Sequence, residues 1–451
     1  MSIRVEYVGH ACLLLEAGEE TIITDPWFTD PVMANSWYHV PAFSRGLNEL
    51  PRLDYIYISH EHADHLDIPA IRCLSRDACI VIPAYGDGKM ESTLADANLS
   101  QSVITLTDGE ELVTPGGTTL SLYFADTGSK DSSLMVSHGG TCVYDHTDNW
   151  ITPEKMTRIA ERWEVDTAFQ CYAGVGSFPS YMLWPLDYRV EVGAAKKIQL
   201  FQRMKSTVEA LHPKAIIPFG ASFGYLRPET IWLNKVCATN PMECREWLRE
   251  EGVDIPVLLM DHGDIWTKSN GVQAGKVRYS LDITDETITE YCDYHAETIA
   301  RIQAGELVDD EYLKLNDVML GEYLNNWVET DGGRFAENPL SIQFNVTGNY
   351  GTVWTVDFGS EGAPVSKAIP NLPNLYLSLT GTELFNALVH RHYSIADLYL
   401  SSRIQMNRYP YDTYHKDFFD SFFWWNEKST IERNRELASE IGDSWQKGRL
   451  R

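Results

Sequence analysis

The chain lacks any apolar run near the ~20 residues that a bilayer-spanning helix requires, so a membrane-crossing helix is excluded. Its eight cysteines (12, 73, 79, 142, 171, 237, 244 and 292) stand apart with no C-x-x-C pair, which indicates neither a zinc knuckle nor a disulfide framework. The opening Met1-Ser2-Ile3-Arg4-Val5-Glu6-Tyr7 has none of the basic-then-apolar plan of a signal peptide. Without a secretory signal, Asn345-Val346-Thr347 reads as a chance sequon. Basic residues are in deficit, 37 Lys and Arg against 64 Asp and Glu, for a net charge of −27. So acidic a surface repels phosphate backbones and anionic lipid, which argues against nucleic-acid and membrane partners. One anionic small molecule in a locally positive pocket stays compatible with it. Repeats and low-complexity linkers are also missing. These absences describe a cytoplasmic protein.

What is present is enough for a large core: 44% of 451 residues are hydrophobic and 22% charged, which excludes disorder as the main state and allows up to about three domains. Short β-like runs at 3–7, 11–16 and 20–24 are broken by Gly9 and by Ala17-Gly18. The apolar strand 54–59 stops at His60, and is followed by a helical stretch at 67–75 and a strand at 79–83. Strands at 119–124, 133–136 and 141–144 continue the pattern, the last two joined by a turn at His138-Gly139-Gly140. A helix over 192–211 and strands at 214–218 and 257–260 follow. Alternating strands and helices, with polar residues at the strand ends, predict an α/β layered domain over 1–270. From 271 to 451 the pattern changes to helices at 285–305 and 311–327, strands at 341–347 and 352–358, and an aromatic tail through Trp424-Trp425. This second, α+β region is expected to pack on the first. The tail from Tyr409 to Trp425 either closes its core or builds a dimer interface.

The chemistry is concentrated in His60-Glu61-His62-Ala63-Asp64-His65, directly after a buried strand. Three imidazoles and a carboxylate would cost several kcal/mol each if buried unpaired. On a loop, residues i and i+2 can reach one ion while i+4 and i+5 reach a second beside it. Nitrogen and oxygen ligands of this kind suit Zn, Fe or Mn rather than Ca. The bland alternative is a solvated polar loop.

With these residues in place the sequence resembles the metallo-β-lactamase superfamily, whose signature is H-x-H-x-D-H after a strand. The resemblance implies an αββα sandwich with the C-terminal α+β region added to it. It also implies that Asp25, in Thr24-Asp25-Pro26-Trp27, holds a ligand imidazole without binding metal, and that His10 hydrogen-bonds in the site wall. A narrower likeness rests on Pro26-Trp27-Phe28, Ser36-Trp37-Tyr38-His39, Ile58-Ser59-His60, Asp131-Ser132-Ser133-Leu134, Phe169-Gln170, Pro218-Phe219-Gly220-Ala221 and His262-Gly263-Asp264. In that order they resemble the catalytic portion of the CMP-N-acetylneuraminate hydroxylase family. That family joins such a domain to a Rieske iron–sulfur module, whose paired Cys and His spacings do not occur here. Electrons would then come from a separate protein.

The superfamily's dinuclear site also takes a third histidine, a bridging aspartate and a last histidine. Where the third belongs, Phe124 to Ser132 contains none, and Asp126 is the expected replacement. The bridge falls on Asp145 or Asp148, with Asp148 preferred, and His146 is either a ligand or a turn histidine. Phe219-Gly220-Ala221 occupies the place of the last histidine, so His262 is either a nitrogen ligand or a turn residue. Trp37, Tyr38 and His39 are candidates for substrate contact from a loop over the site. Lys196 and Lys197 either hold an anion or lie on an exposed helix face, and His138, His390 and His392 read as structural or surface residues.

Three functions compete. The first is a dinuclear non-haem iron oxygenase acting with O2 and an external electron donor on a small polar substrate, nucleotide-sugar or amino-acid-like. The second is a Zn- or Mn-dependent hydrolase of a phosphoester, lactone or amide, with Asp64 binding metal and orienting the nucleophile. The third is a ligand-binding scaffold without turnover.

Overall fold

Alternation along the first strands assigns each side chain to one of two cores. In Cys12–Ala17, Leu13 and Leu15 face one way and Cys12 and Leu14 the other, as the two-residue strand period requires. The computed structural model describes residues 2–423 apart from 174–177, 237–239, 276–281, 361, 371 and 412, together with 425 and a few isolated positions after it. Cys237 and Trp424 lie outside the described residues.

An eight-stranded sheet runs in the order Gly271–Gln273, Ile265–Thr267, Arg4–Gly9, Cys12–Ala17, Glu20–Thr24, Tyr55–Tyr57, Cys79–Pro83, Ser102–Leu106. A six-stranded sheet runs Ile216–Phe219, Thr167–Cys171, Thr141–Thr147, Ser132–His138, Thr119–Phe124, Glu111–Val113. Val5, Leu13, Leu15 and Ile22 of the first meet Leu122, Leu134, Val136 and Phe169 of the second in the central core. The outer face of the first sheet carries Ile68–Cys73 and Lys89–Asp96. The outer face of the second carries Pro153–Ala160, Leu186–Leu211 and Pro241–Glu250. The result is an αββα sandwich. The hairpin at His138 closes through Gly139 and Gly140, whose φ values of 56° and 73° suit a tight two-residue turn. At Gly193 a Cβ would lie 1.9 Å from the carbonyl oxygen of Val236, so only glycine lets the long helix lie against that segment.

Several elements depart from the sequence expectations. Residues 257–260 make only a bridge from Val257 to Ile216, since Pro256 offers no N–H for a ladder. The first sheet continues past 270 because Gly271–Gln273 forms its edge. The helical stretch 285–305 is broken at His295, and 311–327 is broken between Leu313 and Asn316.

The C-terminal region has its own five-stranded sheet, Val365–Ser366, Thr352–Asp357, Ser341–Thr347, Leu375–Thr380, Gln405–Arg408. Its core gathers Trp327, Phe344, Leu377, Phe385 and the tail residues Phe418, Phe419, Phe422 and Phe423. Ala34, Tyr181 and Met182 from the first half enter the same core and dock the two regions together.

Candidate metal centre

The strand Tyr55–Tyr57 ends in a loop that packing alone would not tolerate, because it buries His60, Asp64 and His65. Asp25 makes that arrangement workable. Its carboxylate accepts hydrogen bonds from Ser59 N at 2.8 Å and Ser59 Oγ at 2.7 Å, and lies 2.8 Å from His65 Nδ1. Asp67 caps the helix Ile68–Cys73 through Ala70 N at 2.9 Å and also takes Phe28 N and Thr29 N at 2.8 and 2.7 Å. The loop is thereby tied to the segment after Asp25. Ser59 O receives Tyr85 OH and Ser132 Oγ at 2.9 and 2.8 Å, which joins it to both sheets. His10, Asp25 and Thr147 all adopt left-handed backbone, with φ of 48°, 39° and 49°. Such strain in non-glycine residues gathers at functional sites.

With His65 Nδ1 engaged, its Nε2 faces Asp64 Oδ2 at 3.3 Å and Asp148 Oδ2 at 3.5 Å. Asp64 Oδ2 also lies 3.2 Å from His10 Nε2. His60 Nε2 and His62 Nδ1 are 2.7 Å apart, and His60 Nδ1 is 3.8 Å from Asp131 Oδ1. Among the described residues two donor groups emerge, His10–Asp64–His65 and His60–His65–Asp148, in each of which the ligand atoms lie within 4.8 Å of one another. Asp64 Oδ1 and His65 Nε2 are buried without a hydrogen-bond partner. Unpaired buried polar atoms are rare and call for an explanation. A pair of divalent ions fits these residues.

The imidazoles of the two donor groups and of His62 carry unequal charge. Burial, helped by the neighbouring His65, pushes His60 down to about 4, and burial with the adjacent His60 pushes His62 to about 4, so both imidazoles are neutral donors. Burial would lower His65 too, but Asp64 and Asp25 outweigh it and hold its imidazole well above the ordinary range. For Asp148, burial is overcome by the nearby His65, which keeps its carboxyl ionised. Burial raises Asp131 and Asp145.

The structure separates the remaining sequence candidates. Asp126 is at the surface, taking Thr152 N at 2.8 Å and Thr152 Oγ1 at 2.5 Å, and stands outside the donor groups. The carboxylate beside His60 is Asp131, one residue before the strand Ser132–His138. Asp145 points into the sandwich and Asp148 reaches His65. His146 is turned by strand alternation to the outer face with Tyr144, towards the long helix and away from both donor groups. His262 binds Ala42 O through Nδ1 and Ser222 Oγ through Nε2, both at 2.7 Å, in a separate pocket with Tyr7. Trp37 lines the cavity that opens beside His62. Tyr38 and His39 do not: Tyr38 packs with Ile288 and Ile299, and His39 is held by Asp30 and Trp27. Lys197 pairs with Glu243 at 2.9 Å, while Lys196 lines the cavity. His138 meets Thr118 Oγ1 at 3.1 Å and His390 meets Asn386 Oδ1 at 2.8 Å, both far from the donor groups in sequence and contacts.

Residues 4–149 match the family model described as a beta-lactamase superfamily domain. The cytidine monophosphate-N-acetylneuraminic acid hydroxylase of Danio rerio is 26% identical over 264 residues, 55% of this chain and 43% of that protein. A protein of Mycobacterium tuberculosis named for a Rieske 2Fe-2S iron–sulfur character is 26% identical over 243 residues, 51% of this chain and 46% of its own. The chain spans about half the length of these curated relatives. CmlA, a diiron beta-hydroxylase from Streptomyces venezuelae, superposes on 57% of this chain and 53% of its own at 19% identity and a TM-score of 0.39. Other solved structures that superpose on this chain are named as hydrolases.

Proposed function

We propose that this chain, whose N-terminal region is a metallo-β-lactamase-superfamily domain, is a metal-dependent hydroxylase acting on a small polar substrate with O2 and an external electron donor. The observation that carries the reading is the oxygen-rich donor set. Asp64, Asp148 and Asp131 surround the imidazoles, while among the described residues no histidine joins the loop at the two later positions that the superfamily ordinarily fills. Hard carboxylate donors favour the oxidised states of iron over zinc. His10, Asp64 and His65 would hold one ion, and His60 and Asp148, on the other side of His65, its neighbour. Bound iron supplies the activation of O2.

The chain's own residues supply the rest. Asp25 fixes the His65 tautomer and ring plane, so that Nε2 and not Nδ1 is presented. Met33, Trp37 and Leu400 give the cavity an apolar side next to His62 and limit water there. One oxygen atom enters a C–H or N–H bond of the substrate and the other leaves as water, with electrons and protons drawn from a separate electron-transfer protein.

A hydrolase is the second reading, favoured by the complete His60–His65 loop, which serves hydroxide chemistry equally well with Zn or Mn. Elemental mass spectrometry on protein purified without added metal, followed by O2-uptake assays with a chemical reductant, separates the two. About two irons per chain with O2 consumption, as a paired site requires, is the expected outcome. Zinc or manganese, with phosphodiester or lactone turnover in the absence of O2, would transfer the assignment to the hydrolase.

A further inference from the structure

The cavity beside His62 has a second chemical character on its far wall. The helix Leu186–Leu211 presents Lys196, Leu200 and Arg203 to it, three residues at i, i+4 and i+7 on one helical face. Lys196 and Arg203 are thus ~10 Å apart along the axis at ~1.5 Å per residue. The cavity encloses about 190 Å³ and adjoins a second of about 200 Å³ that shares His146, Asn149, Trp150, Gln170 and Arg203 with it.

Arg203 has no ion-pair partner among the described residues, and its guanidinium sits 3.1 Å from the centroid of the Trp150 ring. Asp148 and Asp131 influence it from across the cavity without pairing with it, and in the proposed centre Asp148 is committed to metal. Desolvation lowers the guanidinium to about 9, the mark of a cation removed from water without a counter-ion. Beneath it His146 is 3% exposed, and both of its ring nitrogens lack partners, as does Gln170 Oε1. Buried polar atoms are seldom left so. On a chain of net charge −27 this wall is a local positive exception.

We propose that Arg203, His146 and Lys196 form a subsite for an anionic group of the substrate, a carboxylate or a phosphate, with Trp150 fixing the guanidinium plane. The fork of Arg203 receives two oxygens of such a group, and the unpartnered His146 nitrogens supply a further contact. This deepens the reading of the adjoining centre as the place of reaction and rests on it. The substrate is thereby anchored by its anion at the helix while another part reaches His62.

The test is phenylglyoxal labelling of the full chain, followed by peptide mass spectrometry, with inorganic phosphate and succinate as probes. It is run on metal-free and on metal-loaded protein. Modification of Arg203 should slow about fivefold when a probe is present at about four times its dissociation constant, in both metal states. Arg249, paired at the surface with Glu246, should not respond. Protection by phosphate alone or by succinate alone identifies which anion the subsite reads. His146→Ala should raise the half-protecting concentration at least about threefold, with its folding checked by circular dichroism. Unchanged Arg203 labelling with both probes overturns the subsite, and so does protection confined to metal-loaded protein, which would place the anion on the metal. Protection in a chain that takes up no iron would keep the subsite and reject the hydroxylase, so the two failures are distinguishable.

Discussion

Asp25 holds His65: the carboxylate oxygen Oδ2 lies 2.8 Å from Nδ1, and the opposite nitrogen faces Asp64 and Asp148. The same carboxylate takes the Ser59 N–H, so it serves both the ligand's orientation and the loop's backbone. Two consequences separate by substitution. Asp25→Asn keeps the shape but weakens the orientation, and metal affinity should fall about 10–100-fold, read by competition with a chromophoric chelator. Asp25→Ala also leaves buried donors unsatisfied and should cost a further ~1–3 kcal/mol in urea denaturation.

Asp131 and Asp126 are five residues apart and give opposite expectations. Asp131 stands beside His60, 3.8 Å away, whereas Asp126 is spent on Thr152 at the surface. Asp131→Ala, which removes the carboxylate facing His60 Nδ1, should weaken metal binding about 10-fold or more and so lower the metal retained on purification, while Asp126→Ala should leave the metal content unchanged and shift stability by no more than about 1 kcal/mol. Elemental analysis of the two purified variants checks both. Equal metal loss would contradict the arrangement.

His262 provides a pH prediction that is independent of metal. Burial holds its imidazole down to about 4, with Ala42 O and Ser222 Oγ occupying its nitrogens. In the unfolded chain it takes a proton near ~6.5. Between these values the unfolded state binds more protons, so the contribution of His262 is complete above the unfolded value and declines as pH falls towards 4. The stability difference between wild type and His262→Gln should therefore shrink by a few kcal/mol from pH 7 to pH 4.5. Added iron or zinc should leave that difference unaltered, as measured by urea denaturation in matched buffers. Metal dependence would instead mark His262 as a ligand.

The parts of this molecule written contiguously were the legible ones. The His60–His65 loop lies within six residues, and the alternating strands around it announce two packed sheets. Long-range placement was harder. Asp131 and Asp126 both follow the strand Thr119–Phe124, and only the position of Asp131 immediately before Ser132–His138 turns it towards His60. His146 and Asp148 differ because the strand Thr141–Thr147 sends His146 to the outer face while Asp148 follows its end. Arg203 lies more than fifty residues beyond the end of that strand, on the helix Leu186–Leu211. The signal available for it was the face it shares with Lys196 and Leu200. Trp37, Tyr38 and His39 form a strand paired with Phe223–Tyr225, which buries them where an open loop was expected.

Glu306 is the knot that binds the two halves of the chain over the cavity. Its oxygens accept from Arg227 Nη1 and Nη2 at 2.9 and 2.7 Å and from Asn35 Nδ2 at 2.8 Å, and Arg403 Nη2 lies 3.4 Å away. Arg403 also donates to Ala34 O at 2.8 Å and pairs with Glu383 at 3.0 Å. This network pins Met33, Ala34 and Asn35, all three in left-handed backbone, and Met33 lines the cavity. Burial would raise the Glu306 carboxyl, but Arg227 and Arg403 hold it below the ordinary value. Its stabilisation is accordingly present above the unfolded value and is lost as pH falls through the lower folded one. Glu306→Ala takes a counter-charge from two buried guanidinium groups, leaving Arg227 to Glu229 and Arg403 to Glu383, and should cost up to about 3–5 kcal/mol. Replacing Glu306, Arg227 and Arg403 together by Leu, Met and Met removes these three desolvated charges as well as their attraction, and should recover part of that loss, the remainder going to Glu229 and Glu383, which lose their partners. Denaturation at pH 7 and pH 4.5 reads both effects. If the triple variant proves no more stable than Glu306→Ala, the cost lies in the other contacts of these side chains, to Ala34, Asn35, Glu229 and Glu383, and not in the lost counter-charge.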